Sequence, residues 1–379
     1  MSLKALLLCS DDKIVRVLRR TLSDLDISAE LCSSADAALR KLTRQRYEAI
    51  VVDCADDGSA DVLRSARSAP CNKRAVAVAI VEPIVGLKAV FEIGAHFVLY
   101  KPVSAERAKT SFRAARALMK SERRRNARVS VQLPVLMRSI TGANLKVTTT
   151  DLSEGGIAVK VPYGRRPLGK WQIVLNLPGM EGDLELPGEF AWEGSGAQAG
   201  IRFSEVAPEA MHKLREWLRQ NSPDAEQDDP PIRCQLTDLS LGGCYLEISS
   251  PFPRSTRVTL SMRAAQVEVR VQGVVRVMHP DKGMGVEFTQ TSVEHQSAVE
   301  KFLHTLSENR TLSPELLVEP EGLETEMSAP KISATAMDDP LLQLFHTQTL
   351  TAEEFHEALR QQRASAPVLA DESASAAHA

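Results

Sequence analysis

The six cysteines, at positions 9, 32, 54, 71, 234 and 244, form no C-x-x-C pair, and no two histidines stand at zinc-binding spacing. A structural zinc site is therefore not expected. No stretch approaches the roughly 20 consecutive apolar residues of a membrane span. The opening segment, MSLKALLLCSDDK, has an apolar run too short for a secretion signal, and two acids follow it at once. These absences point to a cytoplasmic chain with reduced thiols. An excess of basic charge is missing too. The net charge is −3, so the whole molecule is not a basic nucleic-acid binder, and any anion site has to be local. No recognition-helix pattern accompanies the one basic stretch, 113–128, so nucleic acid is not an expected partner.

What is present is ordinary globular material: 379 residues, 43% hydrophobic and 25% charged. At about 100–200 residues per domain, two or three domains are expected. The first 120 residues alternate apolar strand candidates, ALLLCS (5–10), YEAIVVD (47–53), RAVAVAIV (74–81) and HFVLYKP (96–102), with helical segments. Such alternation predicts a doubly wound α/β domain with a parallel sheet. Chemistry in such sheets gathers at the carboxyl ends of the strands. Asp11, Asp12, Asp53 and Lys101 all fall there.

On these residues the segment resembles the flavodoxin-like receiver domain of two-component response regulators. The resemblance implies a magnesium site formed by Asp11, Asp12 and Asp53, a candidate phosphoacceptor in Asp53, a phosphoryl contact from Lys101, and a sensor kinase as partner. The sequence also departs from that family. The Ser or Thr that ends the fourth strand falls near Ala79 or Ile80, neither of which has a hydroxyl, and the aromatic switch position falls at Val98. CADDGSAD follows the acceptor where the family has a Met-Pro stretch. The expected role is a degenerate receiver kept for dimerisation or docking.

The second half contains a repeat. DLSEGGIAVKV (151–161) returns as DLSLGGCYLEI (238–248), GEFAWEGSGAQAGIRF (188–203) as GVVRVMHPDKGMGVEF (273–288), and PEAMHKLREWLRQ (208–220) as VEHQSAVEKFLHT (293–305). Leu214, Trp217 and Leu218 fall opposite Val299, Phe302 and Leu303. Each unit reads as several short alternating strands followed by one helix, which predicts two small antiparallel β-barrels, each with a C-terminal helix. The copies differ upstream. The first is preceded by ERRRNAR (122–128), the second by DDPPIRCQ, and the second has no counterpart of VSVQLPVLMRSI (129–140).

Both units resemble the PilZ domain, a bacterial receptor for cyclic di-GMP, whose signatures are R-x-x-x-R and [D/N]-x-S-x-x-G. The first copy meets both, with Glu122, Arg123, Arg124 and Arg128 and then Asp151, Ser153 and Gly156. The resemblance implies cyclic di-GMP binding at Arg123, Arg124, Arg128, Asp151, Ser153, Gly155 and Gly156. The chemistry suits that ligand. Guanidinium pairs with phosphate oxygens and with the O6/N7 edge of guanine. Asp151 would accept from guanine N1–H and N2–H, and Ser153 would add a short hydroxyl. Gly155 and Gly156 can take positive φ and let the backbone approach a ring or phosphate. The second copy keeps Asp238, Ser240 and Gly243 without the arginines. It is expected to be a structural or partner-binding barrel.

The expected organisation is therefore a receiver-like domain (1–120), a ligand-binding barrel (121–222), a linker (223–231) and a degenerate second barrel (232–308). A mostly disordered tail (309–379) follows, with a short helix near 351–362, where Thr351-x-x-Glu354 forms a capping-box pattern. The expected function is second-messenger reception and signal transduction through interdomain rearrangement or an unidentified protein partner, without enzymatic activity. The alternative is a phosphorelay response regulator controlled at Asp53, with the barrels as protein-interaction output modules.

Overall fold

A computed structural model describes residues 2–69, 71–83, 86–139, 142–162, 167–194, 196–204, 206–222, 229–289, 293–308, 313–324, 339–346 and 351–365. The linker expected at 223–231 lies largely outside the described residues. Residues 120–229 form one compact unit; 2–119 together with 230 onward form another.

The N-terminal sheet has β1 (Leu3–Leu8), β2 (Ile27–Cys32), β3 (Ala49–Asp53), β4 (Val76–Val81) and β5 (Phe97–Tyr100) in the order β2-β1-β3-β4-β5. All its pairings are parallel. This is the doubly wound order that places a site at the carboxyl ends of β1 and β3. β3 and β4 are buried at every residue, as strands covered on both faces must be. Helix α1 (Asp12–Asp24) packs Ile14, Val15, Leu18 and Leu22 inward; full burial of such a side chain is worth roughly 1.5–3 kcal/mol. Helices α2 (Ala35–Leu42), α3 (Ser59–Ser68) and α4 (Leu87–Glu92) follow, and α5 (Ala105–Asn126) ends the domain.

The first barrel comprises β6 (Pro134–Ser139), β7 (Asn144–Ser153), β8 (Gly156–Lys160), β9 (Lys170–Asn176), β10 (Asp183–Gly194) and β11 (Gln198–Phe203). It closes in the order β10-β11-β8-β7-β6-β9. Alternate residues, such as Leu145 and Val147 on β7 or Ile157 and Val159 on β8, fill its interior. Helix α6 (Pro208–Asn221) adds Leu214, Trp217 and Leu218 to that core, and the Trp217 indole N–H donates to the Pro178 carbonyl at 3.0 Å.

The second barrel comprises β12 (Ile232–Leu239), β13 (Gly243–Glu247), β14 (Thr256–Ala264), β15 (Val267–His279), β16 (Gly283–Phe288) and β17 (Glu315–Leu323), and closes as β12-β13-β16-β15-β14-β17. Helix α7 (Val293–Glu308) contributes Val299 and Phe302 to its core, with Leu303 packed beside them. Its last strand differs from the sequence expectation, which ended this barrel at 308. In the first barrel β6 lies between β7 and β9. In the second, β17 lies between the corresponding strands β12 and β14, with the same antiparallel pairing. The strand that opens the first barrel thus closes the second: the second copy is circularly permuted. This is why no upstream counterpart of 129–140 exists.

Two further helices, α8 (Pro340–His346) and α9 (Ala352–Ser365), follow in the segment expected to be mostly disordered. The capping box at the start of α9 is formed: Glu354 accepts from the Thr351 amide at 2.7 Å, and Thr351 Oγ1 accepts from the Glu354 amide at 3.3 Å. Among the described residues no helix is long and apolar enough to cross a membrane.

Candidate functional site

Helix α5 carries Arg123, Arg124 and Arg125 in its last turn, where cations favour the helix dipole. The chain then leaves the helix and is pinned. Val129 N–H donates to the Leu152 carbonyl at 2.8 Å, and Leu152 N–H donates back at 2.9 Å. This two-bond bridge puts Arg128 beside Asp151, and Arg128 Nη1 lies 2.9 Å from Asp151 Oδ1. The two motifs, 23 residues apart in sequence, therefore meet on one face. Arg124 and Arg128 are exposed and Arg123 is half-buried.

Ser153 and Gly156 have a different job. Ser153 Oγ donates to the Gly156 carbonyl at 3.0 Å and closes the hairpin between β7 and β8. A Cβ on Gly156 would lie 2.4 Å from the Ile201 carbonyl oxygen on β11. The second barrel repeats both features: Ser240 Oγ donates to the Gly243 carbonyl at 3.2 Å, and a Cβ on Gly243 would lie 2.6 Å from the Val286 carbonyl oxygen. The serine and the last glycine of the motif are thus needed to build either barrel. Neither Gly155 nor Gly156 uses the positive φ open to it. Strand proximity, not a left-handed backbone, demands glycine at 156. Gly155 is exposed, and a Cβ there would meet nothing within 4 Å.

An ion network behind the site was not read from the sequence. Glu154 Oε1 receives Arg215 Nε at 2.9 Å and Nη2 at 2.8 Å, and lies 3.7 Å from Arg125 Nε. Arg125 Nη1 in turn contacts Glu122 Oε1 at 3.1 Å. The hairpin, the end of α5 and α6 are thereby tied together by Glu154 and Arg125, at unspecified positions of the two motifs, and by Arg215, which belongs to neither. The only available signal was their absence from the second copy, where Leu241, 52% exposed, replaces Glu154.

Across the outward face of the first barrel runs a row set by strand register: Asp151 opposite Ala158, Ala158 opposite Gly200, and Gly200 opposite Trp192. Its middle members are small. The Trp192 indole lies over Gly200, where a Cβ would approach Nε1 to 2.1 Å, and Trp192 is 39% exposed. The row forms a shallow floor with an acid–guanidinium pair at one end and an indole at the other.

In the α/β domain Asp53 is 2% exposed at the end of β3, and Lys101 Nζ sits 2.9 Å from its Oδ2. Burial opposes the charge on Lys101, but contact with Asp53 outweighs it and raises the lysine pKa. Cys9 Sγ lies 3.7 Å from Asp53 Oδ2, and burial pushes its thiol up to about 11. Asp11 points elsewhere. Its carboxylate caps α1, accepting from the amides of Lys13 at 2.7 Å and Ile14 at 3.2 Å, and these bonds hold it below the usual carboxylate range. Asp12 is exposed in the first turn of α1. Among the described residues no three His, Cys, Asp or Glu side chains are grouped to hold a metal ion. The structure thus joins Asp53 with Lys101 but does not assemble Asp11, Asp12 and Asp53 into the expected magnesium site. Ala79 and Ile80, either of which falls at the hydroxyl position of the receiver family, pair across β4 and β5 with Val98 and Leu99, and Val98 falls at the aromatic switch position.

Fold and motifs define the class: a receiver-like α/β domain followed by two six-stranded barrels with trailing helices. Each barrel matches the PilZ domain model, over residues 122–220 and 222–304, so the chain carries two PilZ domains in tandem. PilZ domains are a family of cyclic di-GMP receptors. Among solved structures, the chain is similar to a putative response regulator of Chloroflexus aurantiacus, at 18% identity over 30% of this chain and 98% of that one, with a TM-score of 0.29. It is similar to the receiver domain of a Pseudomonas aeruginosa sensor histidine kinase, which holds magnesium in its active-site cleft, at 22% identity over 32% and 99% with a TM-score of 0.28. It is also similar to the PilZ domain of CeSA from a cellulose-synthesizing bacterium, at 23% identity over 25% and 93% with a TM-score of 0.21. No curated protein matches the chain.

Proposed function

We propose that the first barrel is a cyclic di-GMP receptor and that the second barrel is not. The observation that carries this reading is the contact of Arg128 with Asp151 beside the Val129–Leu152 bridge, on the barrel's outward face. An exposed pair of this kind contributes little to stability, on the order of 0–1 kcal/mol. Its partners can therefore be exchanged for a ligand at small cost. Arg128 and Arg124 would take phosphate oxygens or the guanine O6/N7 edge, with Arg123 close by in the same turn. Asp151 would accept from guanine N1–H and N2–H. The open space above Gly155 admits a ring or phosphate, while Ser153 and Gly156 hold the hairpin that presents Asp151. The second barrel has the hairpin and no arginine pair.

The protein is read as a cytoplasmic signalling protein that acts by binding, not catalysis. Helix α5 offers the route for relay, because it carries buried core residues Phe112 and Leu118 of the α/β domain and ends in the arginines. The α/β domain is read as a receiver retained without its metal-dependent switch, since its acids are not grouped as ligands, neither Ala79 nor Ile80 has a hydroxyl, and the aromatic position holds Val98.

Isothermal titration with cyclic di-GMP tests the reading. Micromolar affinity corresponds to about −8 kcal/mol. Loss of one arginine contact of roughly 1–3 kcal/mol should weaken binding about 5- to 150-fold in Arg128→Ala and in Arg124→Ala. Absence of heat with the folded wild-type chain at tens of micromolar ligand, or undiminished affinity in both variants, would defeat it.

A further inference from the structure

The second barrel repeats the outward row of the first with different contents. Asp238 is opposite Tyr245, Tyr245 opposite Gly285, and Gly285 opposite Val277. Tyr245 stands where the first barrel has Ala158, and Val277 where it has Trp192. The indole that covers the glycine in the first barrel is therefore missing. Its place is taken by Phe345 of α8: a Cβ on Gly285 would lie 2.3 Å from Phe345 Cε1, and its three nearest atoms all belong to that ring.

The rest of α8 and α9 continues the cover. The Phe355 ring lies against Tyr245, tilted by 33°, with ring centroids 4.9 Å apart. Leu342 lies against Gly242 and Gly243, and Phe355 and Leu359 are buried at 0% and 3% exposure. At the hairpin, Asp339 Oδ2 accepts from the Gly242 amide at 3.2 Å while Oδ1 caps α8 through the Leu341 amide at 3.0 Å. Gly242 is the counterpart of Gly155, above which the first barrel is open. A carboxylate thus sits on the backbone amide of the motif turn, and two aromatic rings lie across the floor. The apolar residues involved form a cluster separate from the barrel's interior core.

We propose that this face of the second barrel is a peptide-binding site whose ligand is supplied by the chain's own residues 339–346 and 351–365. It uses the surface that corresponds to the candidate dinucleotide site of the first barrel, and the inference stands whether or not the first barrel binds a nucleotide. Three features mark the segment as a ligand of the face: an acid for the turn amide, a phenylalanine for the exposed glycine, and a second phenylalanine for the tyrosine ring. The bound segment excludes a dinucleotide, because Leu342 and Asp339 fill the space over Gly242 and Phe345 fills the space over Gly285.

The test uses the full-length chain. Phe345→Ala with Phe355→Ala vacates the site, and a fluorescein-labelled synthetic peptide of residues 339–365 is then added and followed by anisotropy. Saturable binding is expected, at least about tenfold tighter than to the wild-type chain, whose site is filled. Adding Gly285→Leu to the double variant should weaken peptide binding at least about tenfold, since the new side chain occupies the phenylalanine's space. Hydrogen exchange in β13 and β16 is measured for every variant and should stay protected. The proposal is overturned by failure of the peptide to bind a chain with protected strands, or by equal binding to the Gly285→Leu form. Loss of strand protection in the double variant also overturns it, because the helices would then be part of the barrel's own structure.

Discussion

Glu154→Gln isolates the contribution of the ion network to the first barrel. The carboxylate takes two donors of Arg215 at 2.9 and 2.8 Å and faces Arg125 Nε at 3.7 Å. Glu154 and Arg125 are each 12% exposed, and Arg215 is 25% exposed, so screening by solvent is limited. Hydrogen bonds to charged groups contribute roughly 1.5–3 kcal/mol each, and breaking a buried pair costs about 3–5 kcal/mol because a charge is left behind. The amide keeps the shape and one acceptor, so a loss of about 3 kcal/mol is expected at the low end of that range. At a urea slope near 1.5 kcal/mol per molar, the midpoint should fall by about 2 M. Tryptophan emission reports this barrel alone, because Trp171, Trp192 and Trp217 are the only tryptophans and all lie in it. Cyclic di-GMP affinity should fall as well, since the network holds the arginine-bearing end of α5 against the hairpin. A midpoint within about 0.3 M of wild type would show that the network is solvated and carries no such load.

Gly156→Ala should destabilise the first barrel by about 2–3 kcal/mol through the 2.4 Å clash with the Ile201 carbonyl, visible in tryptophan-monitored unfolding. Gly243→Ala should do the same to the second barrel and leave tryptophan emission silent, so hydrogen exchange in β13 is its readout. Cyclic di-GMP should change tryptophan emission through Trp192, and Trp192→Phe should abolish the change, because Trp171 and Trp217 are buried at 8% and 2% exposure. His96 Nδ1 accepts from the Ala77 amide at 3.1 Å, and burial followed by Arg67 holds its pKa well below the usual histidine value. The unfolded chain therefore takes up that proton first. This contribution to stability is complete above about pH 6.5 and is lost below it at up to about 1.4 kcal/mol per pH unit. Exchange of β4 amides at pH 7 and 5.5 measures it, and His96→Asn, which keeps an acceptor, should flatten the slope. Beryllium fluoride with magnesium should leave sedimentation and β5 exchange unchanged in the wild-type chain; a response lost in Asp53→Ala would restore the phosphorelay reading.

The fold was legible where local pattern and burial agree. β4 is an unbroken apolar run, and β7 alternates along most of its length, so each announced its place. The helix pairs Leu214 with Val299 and Trp217 with Phe302 were readable because both members of each pair face a core. β17 was not legible, since ELLVEPEGL holds a proline and a glycine and stands after α7, where the repeat offers no strand. The arginine–aspartate convergence was readable from paired motifs. Glu154, Arg125 and Arg215 were not, because two occupy unspecified positions and the third lies 61 residues beyond its partner. The role of Gly156 was not readable for a related reason: a one-letter motif cannot distinguish a residue needed for φ from one needed for the strand beside it.

The permuted second barrel has a consequence for how the chain is cut and made. A fragment ending at residue 304, where the family match stops, lacks the strand that joins β12 to β14. It would expose two unpaired strand edges, which invite pairing between molecules. On the ribosome the same order applies: the first barrel can seal once β11 emerges, whereas the second must wait, open-sided, until residue 323 has left the exit tunnel.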